Sequence, residues 1–347
     1  MVTLHSQNIY SPMEGAMLGK KLAKKASDHK EFGIELSITG TGTPGDPKDP
    51  PVRDYFAPLL PWEICAVQAQ TSNGKTMFTN YWERQIAEQL KRQERDEIII
   101  HVSLEESIEA MAFNDYGRIL KQRPADFARG NFTDWAKMDW AMSEIAGIPV
   151  WRIGDSAERD KDAPEFYLSN IYRSIQELVS GKITGDRWKP AVVIVDYLQA
   201  LPIDPEVRTA QKQDQRRLQV AQDVFRLREM TTHLKCPIIV PEQAKQELAG
   251  ENPPYKIPGT YDGMETSAIA TRFDRIVSLW MPKSNYLIGS TVTNKDQSIQ
   301  LTVREDQAFF KVNKQRGGLP SGRVWELKVD YETQEYYDVY YNIKGEK

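Results

Sequence analysis

Eight residues in the first quarter of the chain have types and spacing suited to binding phosphate. The stretch AQTSNGKT (69–76) follows the apolar run ICAV and precedes a helix-forming segment. In the pattern G-x-x-x-x-G-K-[ST], backbone N–H groups and a helix N-terminus surround phosphates. Gly74, Lys75 and Thr76 match the pattern, and Ala69 stands at the first Gly. We predict that Lys75 binds the β- and γ-phosphates, that Thr76 holds Mg²⁺, and that the phosphates are cradled by Ala69, Gln70, Thr71, Ser72, Asn73, Gly74, Lys75 and Thr76. The alternative is a surface turn with an incidental lysine.

Acidic residues follow two other apolar runs. Asp196 ends AVVIVD, and the carboxyl end of a buried strand is where ligands bind in open α/β sheets. We predict that Asp196 orients the same metal ion. Glu105 and Glu106 follow IIIHVS, where one carboxylate would polarise the water that attacks a γ-phosphate. Acids are also favoured in the first turn of a helix, and the spacing alone does not choose between these roles.

Two cations lie close together far along the chain. Lys314 and Arg316 in FFKVNKQRGG are two residues apart, so a strand would place them on one face. Such a pair can stabilise charge on a phosphoryl group during transfer, as an arginine finger does. The strand pattern alone favours a plainer alternative, a solvated edge strand carrying positive charge.

The elements that position these residues alternate between apolar runs and helical patterns. The runs are EICAVQA, DEIIIHVS, IPVWRI, AVVIVDY, CPIIVPE and RIVSLWM, several of them apolar nearly throughout. Continuous apolar runs are typical of strands buried on both faces of a parallel sheet. The residues after Val303 alternate more, which predicts an antiparallel extension. We expect residues 60–347 to form one α/β domain, a mostly parallel central sheet flanked by helices. Residues 1–59 are predicted to be an arm with a basic amphipathic helix at 12–32 and a Pro/Gly-rich loop at 39–52.

Composition limits the class of protein. The 347 residues carry a formal net charge of −4, so any nucleic-acid contact must come from a local basic patch. Each of the two cysteines, Cys65 and Cys236, lies in an apolar run, which predicts buried thiols in a reducing compartment. No apolar run approaches the ~18 residues of a membrane span and no secretory signal is recognisable. We therefore expect a cytoplasmic protein.

Five motifs occur in an order that resembles a known family. They are AQTSNGKT, HVSLEE, IVDYLQAL, CPIIVPEQAKQ and VNKQRGGLPSG. From about residue 60 to 338 the chain is similar to the RecA-like motor domain of DnaB-type replicative helicases. The resemblance implies a RecA-like P-loop NTPase core that hydrolyses ATP with Mg²⁺.

The resemblance also implies roles for single residues. Glu105 matches the family's catalytic base, which favours it over Glu106, and Gln243 matches the sensor of the γ-phosphate. Lys314 and Arg316 match the pair that contacts the nucleotide of the neighbouring subunit. A homo-oligomer follows from that match, by analogy a hexameric ring that moves 5′→3′ on single-stranded DNA.

Two loops of such a ring would grip single-stranded DNA. They correspond to residues 204–217 and 249–263. Cations and aromatic rings suit sequence-tolerant binding of a single strand. The predicted DNA-binding residues are Arg208, Lys212, Arg216, Arg217, Lys256 and Tyr261, with Tyr255 nearby. The alternative for the first loop is the exposed start of an amphipathic helix.

The chain departs from the family pattern in two places. The family's S-Q-L-S-R is EQAKQ here, so Gln246 stands at the position of the family's arginine. Only about 60 residues precede the motor domain, too few for the family's helical collar. The helix at 12–32 is then expected to dock on an adjacent subunit. No residue identifies a loader or primase partner. Two other functions stay open: a RecA/RadA-like recombinase, and a nucleotide-gated assembly or loader ATPase acting on a protein partner.

Overall fold

The computed structural model describes most of residues 56–338 and short parts of the N-terminal arm. The described residues are 13, 16–17, 20, 33–36, 38, 56–158, 164–196, 198–202, 212–246, 255–263, 267–293, 300–317 and 324–338. Met13, Ala16, Met17 and Lys20 are helical, and Met13 and Met17 are 73% and 62% exposed. The rest of the predicted helix at 12–32 and the predicted loop at 39–52 lie outside these residues.

A nine-stranded sheet forms the centre of the described fold. Its strands are β1 (Ile64–Ala69), β2 (Ile98–Ser103), β3 (Val150–Gly154), β4 (Pro190–Asp196), β5 (Ile238–Gln243), β6 (Arg275–Trp280), β9 (Gln307–Gln315), β10 (Val324–Asp330) and β11 (Glu335–Asp338). Strands β7 (Thr291–Thr293) and β8 (Gln300–Thr302) pair separately. The order across the sheet is β11-β10-β9-β6-β1-β5-β4-β2-β3. All six predicted apolar runs are strands.

Strand direction follows the predicted division of the chain. The ladders among β6, β1, β5, β4, β2 and β3 are parallel, and those joining β6, β9, β10 and β11 are antiparallel. The predicted mostly parallel sheet with a C-terminal antiparallel extension is therefore confirmed. Strand β9 is more buried than its alternating sequence indicates, because it lies between β6 and β10 within the sheet.

Helices cover both faces of the sheet. They are α1 (Lys75–Arg92), α2 (Ile108–Leu120), α3 (Pro124–Ala128), α4 (Trp135–Ala146), α5 (Leu168–Val179), α6 (Lys212–Leu234) and α7 (Ser267–Arg272). Alternate residues of β1 enter different apolar cores, Cys65 and Val67 with α1, and Ile64 and Ala66 with α5 and α6. Burial on both faces explains why these strands are apolar nearly throughout.

Part of the N-terminal arm packs into the first of these cores. Ile34, Leu36 and Ile38 are buried beside α1, and Ile34 forms an antiparallel bridge with Leu59. These residues therefore share the hydrophobic core of the domain that we expected to begin at residue 60.

Both cysteines are buried free thiols, as predicted, and burial raises the pKa of Cys65 to about 12. Among the described residues, no helix combines the length and apolar character that a membrane crossing requires.

Candidate active site

The predicted chemical residues gather at the edge where the parallel strands end, here called the carboxyl edge. Ala69 pairs with Gln243 at the ends of β1 and β5, and Ser103 pairs with Asp196 at the ends of β2 and β4. The opposite, amino edge holds the strand starts. Each strand ends at the same level, so residues far apart in sequence become neighbours at one crevice.

The loop after β1 turns sharply before α1 begins. Ser72 and Gly74 have φ of 64° and 73°, a left-handed conformation that glycine adopts without strain. The Asn73 side chain holds the loop from within: its amide donates to the Thr71 carbonyl, and its oxygen accepts from the Met281 N–H at 2.8 Å. Ser284 donates to the Ser72 carbonyl at 3.0 Å. The segment after β6 therefore fixes the loop from outside.

Close packing also requires glycine where α1 starts. A Cβ atom at Gly74 would lie 2.3 Å from Met281 Cε and 3.1 Å from the Tyr336 hydroxyl. Gly74 caps α1, and Lys75 and Thr76 form its first turn. The N–H groups and positive dipole end of α1 thus lie beside the loop, which suits an anion.

Lys75 lies among carboxylates in the crevice. Burial lowers the pKa of Lys75, while the negative charges of Asp196, Glu105 and Glu242 oppose that shift. The ammonium group favours a negatively charged ligand, and the carboxylates around it favour a divalent cation bound to that ligand.

Asp196 is buried at the end of β4 and faces the start of α1. Burial raises its pKa, and His101, Lys75 and a hydrogen bond from the Thr76 hydroxyl oppose the rise. Its Oδ1 atom has no hydrogen-bond partner. A buried carboxylate oxygen left unpaired is costly, so this atom suits a group supplied from outside the chain.

Glu105 and Glu106 differ in their surroundings. Glu106 closes a turn with Ser103, since Ser103 Oγ donates to the Glu106 carbonyl and accepts from its N–H. The Glu106 carboxylate accepts from Asn114 at 3.4 Å, and its pKa is raised by burial and by repulsion from Asp196 and Glu105. The Glu105 side chain is exposed. Glu105 therefore has the greater freedom to meet a water molecule.

The end of β5 is bound directly to the phosphate loop. Gln243 Nε2 donates to Thr71 Oγ1 at 2.6 Å, and Gln70 Nε2 donates to the carbonyls of Lys245 and Gln246 at 3.1 and 2.8 Å. Gln246, at the position of the family's arginine, also contacts Thr71 Oγ1 at 3.5 Å. Hydrogen bonds therefore link the loop directly to residues 243–246.

Sequence inspection missed a carboxylate that the structure brings to the crevice. Glu242 is buried beside Lys75 and accepts a hydrogen bond from Gln68 at 2.8 Å. Its carboxylate packs against Gly263, where a Cβ atom would lie 2.1 Å from Oε1. The sequence carries a signal for this residue, because Glu242 ends an apolar run as Asp196 does.

A second missed feature lies on the outer side of the phosphate loop. Lys283 Nζ lies 3.9 Å from the centre of the Tyr331 ring, and the Tyr331 hydroxyl donates to the Glu305 carbonyl at 3.0 Å. Lys283 directly precedes Ser284, which binds the loop. Residues from the segment after β6 and from the β10–β11 turn meet only in the folded chain, so no local pattern marks this pair.

The predicted cations Lys314 and Arg316, hereafter the finger pair, lie at the amino edge of the sheet. Lys314 pairs with Ile276 near the start of β6, and Arg275 of β6 pairs with Cys65 near the start of β1. Four residue steps separate Cys65 from the loop at Ala69, about 13 Å along the strand. Burial and the neighbouring Arg316 lower the pKa of Lys314. The structure does not bring the finger pair to the phosphate loop of its own chain.

The predicted DNA-binding residues are only partly described. Arg208 lies outside the described residues, and so do the side chains of Lys212 and Arg217. Arg216 donates to the carbonyls of Leu201, at 2.7 Å, and Gln199, so its guanidinium is held within the chain. Lys256 Nζ lies 5.8 Å from the Tyr286 ring centre, and Tyr261 is 67% exposed.

The loop that carries Tyr261 is fastened to the end of β5. Lys245 N–H donates to the Asp262 carbonyl at 2.8 Å, and Ala244 forms a bridge with Gly263. Asn313 Nδ2 donates to the Pro258 carbonyl at 2.8 Å and so joins the same loop to β9. The loop therefore contacts both the end of β5, which binds the phosphate loop, and β9, which carries Lys314 of the finger pair.

A phosphate loop after the first strand of a parallel sheet, with an acid ending a neighbouring strand, defines a P-loop nucleoside triphosphatase. The family described as "DnaB-like helicase C terminal domain" matches residues 55–337, and the chain belongs to this family. It is therefore an ATP-hydrolysing helicase domain with a RecA-like fold, as the five motifs predicted.

Solved structures show the same fold. One described as "ATPase Domain of G40P" superposes with a TM-score of 0.65 at 17% identity, covering 95% of this chain and 100% of that one. A second, "The Structure Of A DnaB-Like Replicative Helicase And Its Interactions With Primase", gives 0.59 at 18% identity, covering 80% of this chain and 58% of that one. No curated protein sequence matches this chain.

Proposed function

We propose that this chain is a motor that hydrolyses ATP at interfaces between its own copies and uses the energy to move 5′→3′ on single-stranded DNA, as a hexameric ring. The observation that carries the proposal is the separation of the two halves of the site. The phosphate loop lies at the carboxyl edge, and the finger pair lies at the end of β9, at the amino edge. Cations so placed serve a nucleotide bound to a neighbouring copy, which makes hydrolysis depend on assembly.

Within one copy, the loop residues 69–76 bind the phosphates through backbone N–H groups and Lys75. Gln243 binds Thr71 at 2.6 Å and is placed to exchange that hydroxyl for a γ-phosphate oxygen. Glu105 accepts the proton of the attacking water. Hydrolysis would then release Gln243 and, through the adjacent residues 244–246, alter the loop that carries Tyr261.

The residues present fit a magnesium ion. Asp196 offers the unpaired Oδ1 atom, and the Thr76 hydroxyl lies against the same carboxylate. Among the described residues, no group of three or more His, Cys, Asp and Glu side chains could hold a metal unaided. That suits Mg²⁺, which is usually held by one or two carboxylates together with substrate phosphates. Bound there, Mg²⁺ would neutralise charge developing on the phosphates.

Single-stranded DNA would bind on the loop surface formed by residues 255–263. Lys256 supplies a cation for backbone phosphate, and the exposed Tyr261 ring offers a face for a base. Through its contacts with β5 and β9, this loop would couple DNA binding to both parts of the active site.

The Lys283–Tyr331 pair suits the base of the nucleotide, since it lies beside the outer face of the phosphate loop. Stacking of a base on an aromatic ring contributes about 1–3 kcal/mol, so we expect Tyr331→Ala to weaken ATP binding roughly 5- to 150-fold. Competition titrations with ATP and with tripolyphosphate measure this. The variant should bind tripolyphosphate as the wild type does, because that ligand has no base. An equal loss for both ligands would show that Tyr331 supports the loop and not the base.

Steady-state ATP hydrolysis with and without single-stranded DNA tests the proposed function. We expect DNA to stimulate the wild type, and Lys75→Ala and Arg316→Ala to be inactive when pure. Mixing the two variants should restore activity, because roughly one interface in four of a random equal mixture pairs an intact loop with an intact finger pair. The mass of each assembly is recorded in parallel.

The opposite outcome is equally informative. If DNA has no effect and Arg316→Ala turns over normally, the shared site and the motor are both excluded. Nucleotide-dependent assembly with a protein partner would then be the better hypothesis. Strand exchange without unwinding would instead support a recombinase.

A further inference from the structure

Asp274 is buried at the amino edge of the sheet, directly before β6, and contacts Arg316 of the finger pair. Its Oδ1 accepts from Arg316 Nη1 at 3.1 Å, and its backbone carbonyl accepts from the Arg316 N–H at 3.0 Å. Its Oδ2 accepts from the Ile64 N–H at 3.0 Å and forms an ion pair with Arg228 Nη2 at 2.8 Å. Both carboxylate oxygens are therefore occupied, and Arg316 is bound through its main chain and its side chain.

The end of helix α7 provides the rest of the support. The last carbonyls of a helix carry partial negative charge and attract cations. Three of these carbonyls accept hydrogen bonds. The Ala270 carbonyl accepts from Lys314 Nζ at 2.7 Å, and the Thr271 carbonyl accepts from Arg316 Nη2 at 3.2 Å. The Arg272 carbonyl accepts from Arg228 Nη2 at 2.5 Å. The finger pair thus lies on an anionic surface made by one carboxylate and one helix end.

This support leaves Arg316 able to contact a ligand. The Arg316 side chain is 56% exposed although two of its nitrogens are bound. A guanidinium has five N–H donors, so donors remain for a phosphate approaching from the exposed side. Without support, a long arginine side chain samples many rotamers, and ordering it costs up to about 2 kcal/mol.

We infer that Asp274 is a positioning residue that holds Arg316 in the orientation needed at the nucleotide of the neighbouring copy. The inference rests on the proposed function, in which Arg316 acts across an interface. Asp274 itself contacts no nucleotide. It fixes the guanidinium plane before the neighbour arrives, so that the catalytic cation does not have to be ordered in the transition state.

A purely structural role for Asp274 makes a different prediction. Asp274 also joins the start of β1 to β6 through Ile64, so its loss could damage the fold of its own subunit. Damage of that kind would impair the phosphate loop and the finger pair alike. A positioning role would impair only the finger pair that the subunit presents to its neighbour.

Subunit mixing with Asp274→Asn separates these roles. Misplacing a reacting group by 1 Å costs about 100-fold, so we expect kcat with single-stranded DNA to fall about 10- to 100-fold, and KM for ATP to change less than about 2-fold. Mixed with Lys75→Ala, the variant should regain activity, because its own phosphate loop then faces an intact finger pair. Mixed with Arg316→Ala it should regain none, since neither subunit presents a working finger pair. Asp115→Asn, which alters another ion pair between a buried aspartate and an arginine, is the matched control and should keep wild-type kcat.

Two results would overturn the inference. One is a wild-type kcat for Asp274→Asn, and the other is that Asp274→Asn regains the same activity when mixed with Lys75→Ala as when mixed with Arg316→Ala. If the Asn variant does not assemble, Asp274→Glu, which keeps the charge but shifts it by one methylene, is judged by the same mixing pattern. Activity regained on mixing Lys75→Ala with Arg316→Ala tests the proposed function alone. Its absence would exclude the shared site, whereas its presence with an unaffected Asp274→Asn would exclude only the role of Asp274.

Discussion

Glu105→Gln is expected to lower kcat for ATP hydrolysis by about 10²- to 10⁴-fold while nucleotide binding is retained. Glutamine keeps the size of the side chain but cannot accept a proton from water. Glu105 follows β2 at the carboxyl edge, and its charge acts on both Lys75 and Asp196, which places it beside the predicted phosphate and metal positions. Single-turnover hydrolysis and titration with a fluorescent nucleotide measure the two properties separately.

Glu106→Gln is the matched control for this prediction. The Glu106 main chain closes the turn with Ser103, and its carboxylate accepts from Asn114. We expect this variant to lose less than about 10-fold in kcat, because a side chain held in this way supports the turn and does not meet the water. An inactive Glu106→Gln with a functional Glu105→Gln would reverse the assignment of the base.

The parallel half of the fold could be predicted because its signals are local. Each strand is buried on both faces, so each appears as an unbroken apolar run such as IIIHV or AVVIV. The residues with chemical roles end those runs, and parallel strands bring their carboxyl ends together at one edge. Asp196 and the loop at 69–76 could therefore be placed in one crevice from the ends of their strands, and Gln243 from its match to the family motif.

Contacts between distant segments could not be predicted in this way. Asp274 binds Ile64, 210 residues earlier, and Met281 binds Asn73 across 208 residues. Single residues such as Asp274 and Tyr331 lie in segments whose pattern indicates only strand ends and turns. Their function depends on which elements become neighbours in the sheet, and the order in which β9 and β6 join β1 is not encoded in any short window.

The placement of the finger pair shows how the two kinds of information combine. The spacing of Lys314 and Arg316 predicted that both side chains lie on one face of a strand, and the strand pattern alone favoured a solvated edge strand. The structure adds that β9 runs antiparallel to β6, so the end of β9 lies at the opposite edge from the phosphate loop. The pairing of β9 with β6, which the sequence does not specify, is what makes these two cations a candidate link between subunits.

Lys75→Ala is expected to weaken nucleotide binding about 10- to 100-fold and to reduce hydrolysis to background, since a hydrogen bond to a charged group contributes about 1.5–3 kcal/mol. The loss has a second cause. Lys75 lies among Asp196, Glu105 and Glu242, and without its charge these carboxylates repel the phosphates that approach them. Equilibrium titration with a slowly hydrolysed ATP analogue measures the affinity, and Lys91→Ala, an exposed lysine in the last turn of the same helix, is the control. Unchanged affinity and turnover in Lys75→Ala would mean that residues 69–76 form a turn that binds no phosphate.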